Sequence, residues 1–181
     1  MGKILNDTQY KSIKAGLYSY CGNFINEYYE PEVELGNYTS VADYVTFCGH
    51  MNHVIVKYPE AVTTYPFTEM QGLDYFEKSV SRGKIVVGSD CWIGHKAFIM
   101  DGMTIGDGAI VGALANVTKD IPPFAIVGGN PARILKYRYD EFTIKCLLKI
   151  KWWEWDNELI KERIQDFKNV YQFVSKYINN C

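Results

Sequence analysis

Two histidines three residues apart, His50 and His53, are the side chains in this 181-residue sequence best suited to acid–base chemistry. An imidazole can take a proton from a hydroxyl near neutral pH. A lone loop histidine is more often a surface residue, so its position in the fold determines whether a catalytic role is expected. Cys48 beside His50 offers a Cys–His nucleophile instead, although it follows an apolar repeat and can belong to the scaffold. The third histidine, His95, occupies a corner of that repeat, where exposure to solvent explains it.

The elements that must position these side chains are predicted by a six-residue repeat. An aliphatic residue recurs at Val87, Ile93, Ile99, Ile105, Val111 and Val117, and glycine follows it at Gly88, Gly94, Gly106 and Gly112. The same frame appears earlier at Leu35-Gly36 and Val41-Ala42. A helix would need spacings of three and four, so this pattern predicts short strands with Gly-bearing corners. The expected fold is an all-β solenoid, a parallel β-helix whose stacked coils bury an aliphatic core.

The residues that alternate with the inward positions point outward and include large apolar groups. They are Trp92, Phe98, Thr104, Ile110 and Asn116. If three repeats close one coil, Trp92 stacks on Ile110 and Phe98 stacks on Asn116. Outward apolar groups need cover from the tail, a ligand or another subunit, and we favour a subunit interface.

The repeat is interrupted by a long excursion loop at about residues 48–86. A long segment without repeat character inside a solenoid is where function is expected. His50 and His53 fall in its first residues, which favours a catalytic role for one of them. The loop also contains Tyr65, Pro66 and Phe67, an aromatic-proline segment suited to the wall of a substrate pocket.

Helical spacing replaces the repeat near the end of the chain. With Asp156 as the N-cap, apolar residues follow at Leu159, Ile160, Ile164, Phe167, Val170, Tyr171, Val174 and Ile178. The sequence therefore predicts a β-helix domain at residues 1–135 and a C-terminal helical extension at 136–181. We expect this extension to form an α-helical cap over the open end of the β-helix.

Composition excludes several classes of function. The net charge is -2 and no basic cluster stands out, so no nucleic-acid partner is expected. No apolar run is long enough for a membrane span, and the start of the chain has no signal-peptide pattern. The five scattered cysteines argue against a disulfide framework and a zinc knuckle. A soluble, cytoplasmic protein is expected.

Several separate motifs carry a resemblance to a known family. They lie at residues 87–94, 106–111 and 117–133, in Asn52-His53 followed by residues 64–67, and in residues 151–155. In this order they resemble the hexapeptide acyltransferases. Within these, the chain is most similar to the xenobiotic acyltransferase branch, which includes type B chloramphenicol and streptogramin acetyltransferases and polysaccharide O-acetyltransferases. The likeness covers residues 33 to 158.

The resemblance implies a left-handed β-helix, three repeats per coil, and a homotrimer with active sites between subunits. It implies acetyl-CoA as co-substrate, no metal, and His53 as the base that deprotonates the acceptor hydroxyl, with His50 as a second candidate. The expected contacts with CoA are Lys119 and Arg133 at its phosphates and Trp92, Ala113, Ala115 and Thr118 along the groove. Residues 54–61 depart from the segment that usually follows this histidine, which indicates a different acceptor pocket.

Three functions remain open at this point. The first is acetylation of a hydroxyl on a sugar or polysaccharide precursor, and the second is the same reaction on an antibiotic of the chloramphenicol or streptogramin type. The third is a zinc enzyme resembling γ-carbonic anhydrase. Zinc catalysis of that kind uses three histidine ligands, and the chain has three histidines in total.

Overall fold

The computed structural model describes residues 3–4, 12–22, 25–28, 31–49, 59–65 and 81–178. Fifteen β-strands and three α-helices lie within these residues. The strands are β1 Lys3–Ile4, β2 Ile13–Ala15, β3 Tyr20–Cys21, β4 Ile25–Tyr28, β5 Val33–Leu35, β6 Ser40–Val41, β7 Val45–Cys48, β8 Ile85–Val87, β9 Trp92–Ile93, β10 Phe98–Met100, β11 Thr104–Ile105, β12 Ile110–Val111, β13 Asn116–Val117, β14 Ala125–Gly128 and β15 Arg133–Tyr137. The helices are α1 Glu141–Ile150, α2 Asn157–Arg163 and α3 Val170–Tyr177.

The strands form three sheets that the chain visits in a fixed order. Sheet 1 contains β2, β5, β8 and β11, and sheet 3 contains β4, β7, β10 and β13. Sheet 2 runs β1-β3-β6-β9-β12-β14-β15. Neighbouring strands are parallel except at the two edges of sheet 2, where β1 and β15 pair antiparallel. We call each pass through the three sheets a coil, numbered 1 to 5 from β2 to β14.

The strand register confirms the predicted length of one coil. Trp92 pairs with Ile110 and Phe98 pairs with Asn116, so residues eighteen apart lie side by side. Three six-residue repeats therefore make one coil here. The aliphatic residues of the repeat are buried in one core cluster, where Ile93, Ile99 and Val111 are fully enclosed. This burial is the main stabilising contribution that a single repeat could not supply alone.

The glycines at the corners are required by the close stacking of the coils. A Cβ atom on Gly94 would lie 2.6 Å from the Ala113 nitrogen and 2.7 Å from the Val111 oxygen. Both are backbone atoms of the next coil and cannot move aside without breaking the ladder. The repeated glycine is therefore a condition for packing one coil on another.

Coil 1, formed by β2, β3 and β4, was not predicted. Its residues pair with coil 2 at a distance of twenty positions, as in Ile13 with Val33 and Tyr20 with Ser40. The two additional residues break the six-residue phase, which is why the repeat was not recognised there. Ile13 and Cys21 nevertheless lie in the same core cluster as the later coils.

The end of the stack differs from the prediction. Strand β15 pairs with β14 as far as Tyr137, so it crosses the division predicted between residues 135 and 136. This antiparallel strand forms hydrogen bonds with β14, whose edge would otherwise be unpaired in sheet 2. The expectation of a helical cap over the open end was therefore wrong, because the helices pack against a side of the stack, as described below.

The helical region is also more divided than predicted. Helix α1 begins after the N-cap Asp140, whose side chain accepts a hydrogen bond from Thr143 N, and this helix was not predicted separately. Asp156 is the N-cap of α2, as expected, and accepts from Leu159 N. A 3-10 segment, Ile164–Lys168, then interrupts the predicted single helix before α3.

Candidate functional site

The three corners between the sheets have different surroundings, and these determine where a ligand could bind. We name each corner by the sheets it joins: 1–2, 2–3 and 3–1. Each corner repeats once per coil, so it forms a column that runs along the stack.

Corner 1–2 is covered by residues 138–178, which we call the C-terminal extension. Tyr38 at this corner packs against Trp152 with ring centroids 5.1 Å apart, and Phe124 lies 6.4 Å from Trp153. Asn37 Nδ2 donates to the Trp153 oxygen at 3.0 Å. The extension thus covers Tyr38 and buries Phe124, and a cavity lined by Asp90, Phe124 and Arg138, among others, remains beneath it.

An ion pair fastens the extension to the same corner. Arg138 Nη1 donates to Asp90 Oδ2 at 2.9 Å and to the Gly108 oxygen at 2.7 Å. The Arg138 guanidinium also lies 5.3 Å from the centres of the Phe124 and Tyr139 rings. Burial raises the pKa of Asp90, and the charge and hydrogen bond of Arg138 oppose that rise. The pair is therefore a structural contact between the corner and the extension.

Corner 3–1 carries the excursion loop in coil 2. Strand β7 ends at Cys48, which is fully buried, and the chain returns at residues 81–84 before β8. The buried carboxylate of Asp101 accepts from Arg82 N at 2.6 Å and so holds the returning end of the loop. Burial, and then the nearby charge of Asp101, raise the pKa of the Cys48 thiol. A buried thiol with a raised pKa is a poor nucleophile, which argues against the Cys48–His50 alternative.

Corner 2–3 is open over at least three coils in the described part of the chain. Lys96 N donates to the Asp43 oxygen at 3.1 Å and Leu114 N to the His95 oxygen at 2.9 Å, so these turns stack directly. The exposed side chains on the column are Tyr44 in coil 2, His95 and Lys96 in coil 3, and Ala113 and Leu114 in coil 4.

The backbone of corner 2–3 makes its side chains point outward. Tyr44, Lys96 and Leu114 all have positive φ angles, of 60°, 57° and 62°. Corner 1–2 uses the same left-handed conformation at Tyr38 and Phe124, so it belongs to the way the chain turns and is not in itself a sign of function. Corner 2–3 differs in that Tyr44, His95 and Lys96 are all exposed, whereas at corner 1–2 the extension covers Tyr38 and Phe124 and leaves Tyr18 of coil 1 exposed.

The predicted catalytic and substrate residues lie largely outside the described residues. This applies to His53, His50, Pro66 and Phe67. Tyr65 is described and is 48% exposed, and its backbone nitrogen donates to Thr63 Oγ1 at 3.1 Å. The roles of these residues stay predictions.

Three of the predicted cofactor residues are brought to corner 2–3. Trp92, 55% exposed, leads into it from sheet 2, and the exposed Ala113 lies on the column. Arg133 begins β15 opposite Gly128, at the end of the column in coil 5. Thr118 and Lys119 follow β13 instead and lie across sheet 3, toward corner 3–1. Corner 2–3 therefore carries exposed rings and two cations, Lys96 in coil 3 and Arg133 in coil 5.

The prediction for Ala115 needs correction. Its side chain is fully buried in the core cluster, because it occupies the small inward position of the repeat. It cannot line a groove on the surface. Conversely, solvent exposure alone accounted for His95 in the sequence. His95 is eighteen residues before Ala113, one coil away on the same corner, and this spacing was the signal that could have identified it.

One buried acceptor lies on sheet 3 next to corner 2–3. Asn116 Nδ2 donates to Asn130 Oδ1 at 3.1 Å, whereas Asn116 Oδ1 is buried and has no hydrogen-bond partner among the described residues. Asn116 also accepts from Ala132 N through its backbone oxygen, so it fastens the segment leading to Arg133. Its position next to the open corner makes this amide part of the candidate site.

The described residues contain no group of three His, Cys, Asp or Glu side chains that could hold a metal ion, and His50 and His53 are not among these residues. None of the helices found in these residues is long and apolar enough to cross a membrane.

Comparison with known proteins identifies the repeat and its relatives. The family of bacterial transferase hexapeptide (six repeats) matches residues 84–119. A chloramphenicol acetyltransferase of Escherichia coli is 36% identical over 182 aligned positions, which cover 89% of this chain and 85% of that protein. A chloramphenicol acetyltransferase of Agrobacterium fabrum (strain C58 / ATCC 33970) is 40% identical over 136 positions, covering 70% of this chain and 62% of that protein.

A solved structure gives a similar result for the fold. A galactoside acetyltransferase in complex with coenzyme A superposes with a TM-score of 0.57 and 27% identity, covering 71% of this chain and 56% of that chain. The match thus spans less than two thirds of the galactoside acetyltransferase and of the Agrobacterium protein.

Proposed function

Because the chain belongs to the acetyltransferases with bacterial transferase hexapeptide repeats, we propose that it transfers an acetyl group from acetyl-CoA to a hydroxyl of a small-molecule acceptor. The observation that carries this proposal is the likeness to a chloramphenicol acetyltransferase over most of the chain. Acetyl-CoA supplies the acetyl group as a thioester, and the chain supplies its binding groove and the acid–base chemistry.

The open corner 2–3 has the properties that a CoA-binding groove needs. Its exposed Trp92 and Leu114 offer apolar contact, and Arg133 at its end suits a phosphate. Lys119, across sheet 3, is the second cation proposed for the phosphates. Thr118 would contact the ligand from the same side.

We assign the chemical step to His53. Its imidazole would accept the proton of the acceptor hydroxyl while the hydroxyl oxygen attacks the thioester carbonyl. The CoA thiolate then leaves and takes up a proton, so no covalent acyl-enzyme is needed. A positioned base of this kind contributes on the order of a hundred- to ten-thousand-fold in rate. Main-chain N–H groups at the site would stabilise the oxyanion that develops on the carbonyl.

Two acceptor classes have specific support. Chloramphenicol acetyltransferases are among the relatives that cover most of this chain, which favours an antibiotic hydroxyl. The solved galactoside acetyltransferase favours a sugar hydroxyl, and the unusual residues 54–61 after His53 argue for a pocket unlike that of the resistance enzymes. Tyr65, Pro66 and Phe67 are the residues proposed to shape the acceptor pocket.

The remaining parts of the proposal concern the assembly. We propose a left-handed β-helix that forms a homotrimer, with each groove completed by a neighbouring subunit. The exposed Trp92 and the exposed Ile134 and Leu135 of β15 lie on sheet 2 and provide apolar surface for such contacts. A cytoplasmic location fits the use of acetyl-CoA as co-substrate.

The test is to replace His53 with Ala and to measure release of CoA thiol with acetyl-CoA and a competent acceptor. We expect kcat to fall at least a hundredfold, on the order of the contribution of a general base, while CoA still binds. His50→Ala is the matched control and should keep most of its activity. Near-normal turnover of the His53 variant would refute the assignment, and a loss confined to His50→Ala would transfer the role to His50.

The acceptor is tested with the same assay on a panel. Chloramphenicol, a streptogramin, galactosides and nucleotide sugars are compared at equal concentration by kcat/KM. A preference of tenfold or more for one class identifies the acceptor. If none of them releases CoA thiol above the hydrolysis rate, both proposed acceptor classes are wrong.

A further inference from the structure

The two ends of the excursion loop are attached to neighbouring residues of coil 3 at corner 3–1. Cys48, at the start of the loop, pairs with Met100 across the parallel strands β7 and β10. Where the loop returns, Arg82 N donates to Asp101 Oδ2 at 2.6 Å. Two consecutive residues of coil 3 therefore contact the loop, one at each end.

Asp101 differs in its burial from two other carboxylates at corners of the stack. Asp107 and Asp120 also accept from main-chain N–H groups, at 2.7 Å and 2.8 Å. Asp107 is half-buried and Asp120 is exposed, whereas Asp101 is only 1% exposed. A carboxylate removed from water depends on its hydrogen bonds, so separating Asp101 from Arg82 N is costly. The contact is therefore well suited to hold a loop end in one place.

Gly102 brings the main chain of coil 3 against the same loop end. Its φ is 71°, and a Cβ on it would lie 2.6 Å from Arg82 Cβ and 2.8 Å from the Arg82 oxygen. Gly102 N also donates to the Gly83 oxygen at 2.9 Å. Glycine is thus needed for this close approach. We call the contacts of Asp101 and Gly102 with Arg82 and Gly83 the loop anchor.

The first end of the loop does not by itself fix the position of His53. His53 follows Cys48 by five residues, and a fully extended chain of that length reaches about 17 Å. A loop held at both ends has fewer conformations than one held at a single end. The returning end, held by the loop anchor, therefore restricts where His53 can lie.

We propose that Asp101 is a positioning residue, whose carboxylate fixes the returning end of the excursion loop and so holds His53 in reach of the acceptor hydroxyl. The inference rests on the proposed function, because it takes His53 as the base. Asp101 is buried, so it acts through the loop and not by contact with a substrate. Reacting groups misplaced by about 1 Å can lose about a hundredfold in rate, so a loop end can affect turnover.

The first experiment separates turnover from CoA binding. Asp101→Ala should lower kcat about tenfold and leave the Kd of CoA, measured by calorimetry, unchanged. Asp101→Asn keeps an oxygen that can accept from Arg82 N and should recover most of the kcat. Asp107→Ala removes the same kind of contact at corner 1–2 and is the matched control, with kcat expected to stay normal. Equal losses in Asp101→Ala and Asp101→Asn, or weaker CoA binding in either, would overturn the proposal.

The second experiment tests whether Asp101 acts through His53. If it does, the two substitutions are not additive, and Asp101→Ala should lower the residual kcat of His53→Ala by less than about twofold. A further tenfold loss in the double variant would overturn the positioning role, because Asp101 would then act independently of His53.

The third experiment examines the loop anchor without any substrate, by brief trypsin digestion of the folded protein. Arg82 is exposed, but cleavage after it requires this segment to leave the stack. Asp101→Ala should speed cleavage between Arg82 and Gly83 about tenfold, as mass spectrometry of the fragments can show, and Asp107→Ala should not. Unchanged cleavage in Asp101→Ala, or faster cleavage with normal kcat, would overturn the proposal.

Gly102→Ala perturbs the loop anchor with the carboxylate intact. Its Cβ would push Arg82 away, so it should match Asp101→Ala in both cleavage and kcat, and it replaces that variant if Asp101→Ala does not fold. Normal cleavage and kcat in Gly102→Ala would contradict the anchor. The digestion is independent of the base: normal turnover in His53→Ala refutes the proposed function, whereas unchanged cleavage in Asp101→Ala refutes the anchor.

Discussion

Replacement of Arg138 by Met tests how the C-terminal extension is held. The Arg138 and Asp90 side chains are 22% and 25% exposed, so the pair is mostly removed from water. Breaking a buried pair costs about 3–5 kcal/mol, and partial exposure reduces this to about 2–3 kcal/mol. For a chain of this length that corresponds to a decrease in Tm of about 5–10 °C. Urea unfolding followed by tryptophan fluorescence measures the change, since Trp152 and Trp153 pack at this interface.

The stability that the Arg138 variant loses, as free energy of unfolding, should increase as pH rises. Burial raises the pKa of Asp90 in the folded protein, and Arg138 opposes that rise. Without Arg138, folded Asp90 binds a proton more readily than unfolded Asp90 does. The free energy of unfolding of the variant therefore falls as pH rises above the unfolded value of about 4. We expect the difference from the parent protein to be largest at pH 7 and small near pH 4.

Two controls make the Arg138 result decisive. Lys145→Met breaks an exposed pair with Glu141 and should change stability very little. Adding Asp90→Asn to the Arg138 variant removes the unpaired carboxyl and should abolish the pH dependence. A loss below about 1 kcal/mol at pH 7, or an equal loss at both pH values, would refute the argument, because a desolvated ion pair predicts neither.

Two further predictions concern the packing of the coils. Gly94→Ala should lower Tm more than Gly112→Ala, because the added Cβ would lie 2.6 Å from the Ala113 nitrogen at Gly94 but 3.1 Å from the Val127 oxygen at Gly112; equal Tm values in a thermal melt would contradict this. Cys91 is 2% exposed, and burial raises its pKa to about 12. Its thiol should stay unmodified by iodoacetamide in the folded protein and react only after unfolding, as peptide mapping can show.

Much of the fold could be predicted from the sequence because the repeat is a direct consequence of strand geometry. Residues two apart face the same way, so each aliphatic residue and the small or apolar residue two positions before it, such as Ala115 before Val117, are both predicted to face the core. The register of Trp92 with Ile110 followed from the same spacing. Coil 1 was not predicted because two additional residues shift its phase relative to coil 2. The antiparallel β15 was not predicted because its residues show no six-residue periodicity.

The candidate site was less predictable, since it depends on which surfaces the rest of the chain covers. Tyr38 and Tyr44 both follow strands of the repeat at corner positions, and the sequence alone predicts the same exposure for both. The extension packs against Tyr38, whereas Tyr44 is 44% exposed. Only tertiary packing distinguishes them. Ala115 is different, because its small inward position in the repeat already predicted a place in the core, where the structure has it.

The C-terminal extension affects how this protein unfolds. A stack of coils in which each contacts only its neighbours can fray from either end, one layer at a time. Here Asn157 is hydrogen bonded to Tyr18 in coil 1, Trp152 packs on Tyr38 in coil 2, and Arg138 contacts Asp90, Gly108 and Phe124 in coils 3 to 5. Loss of an end layer therefore also costs contacts with the extension. Melting should accordingly be cooperative, with the five layers and the extension unravelling as one unit.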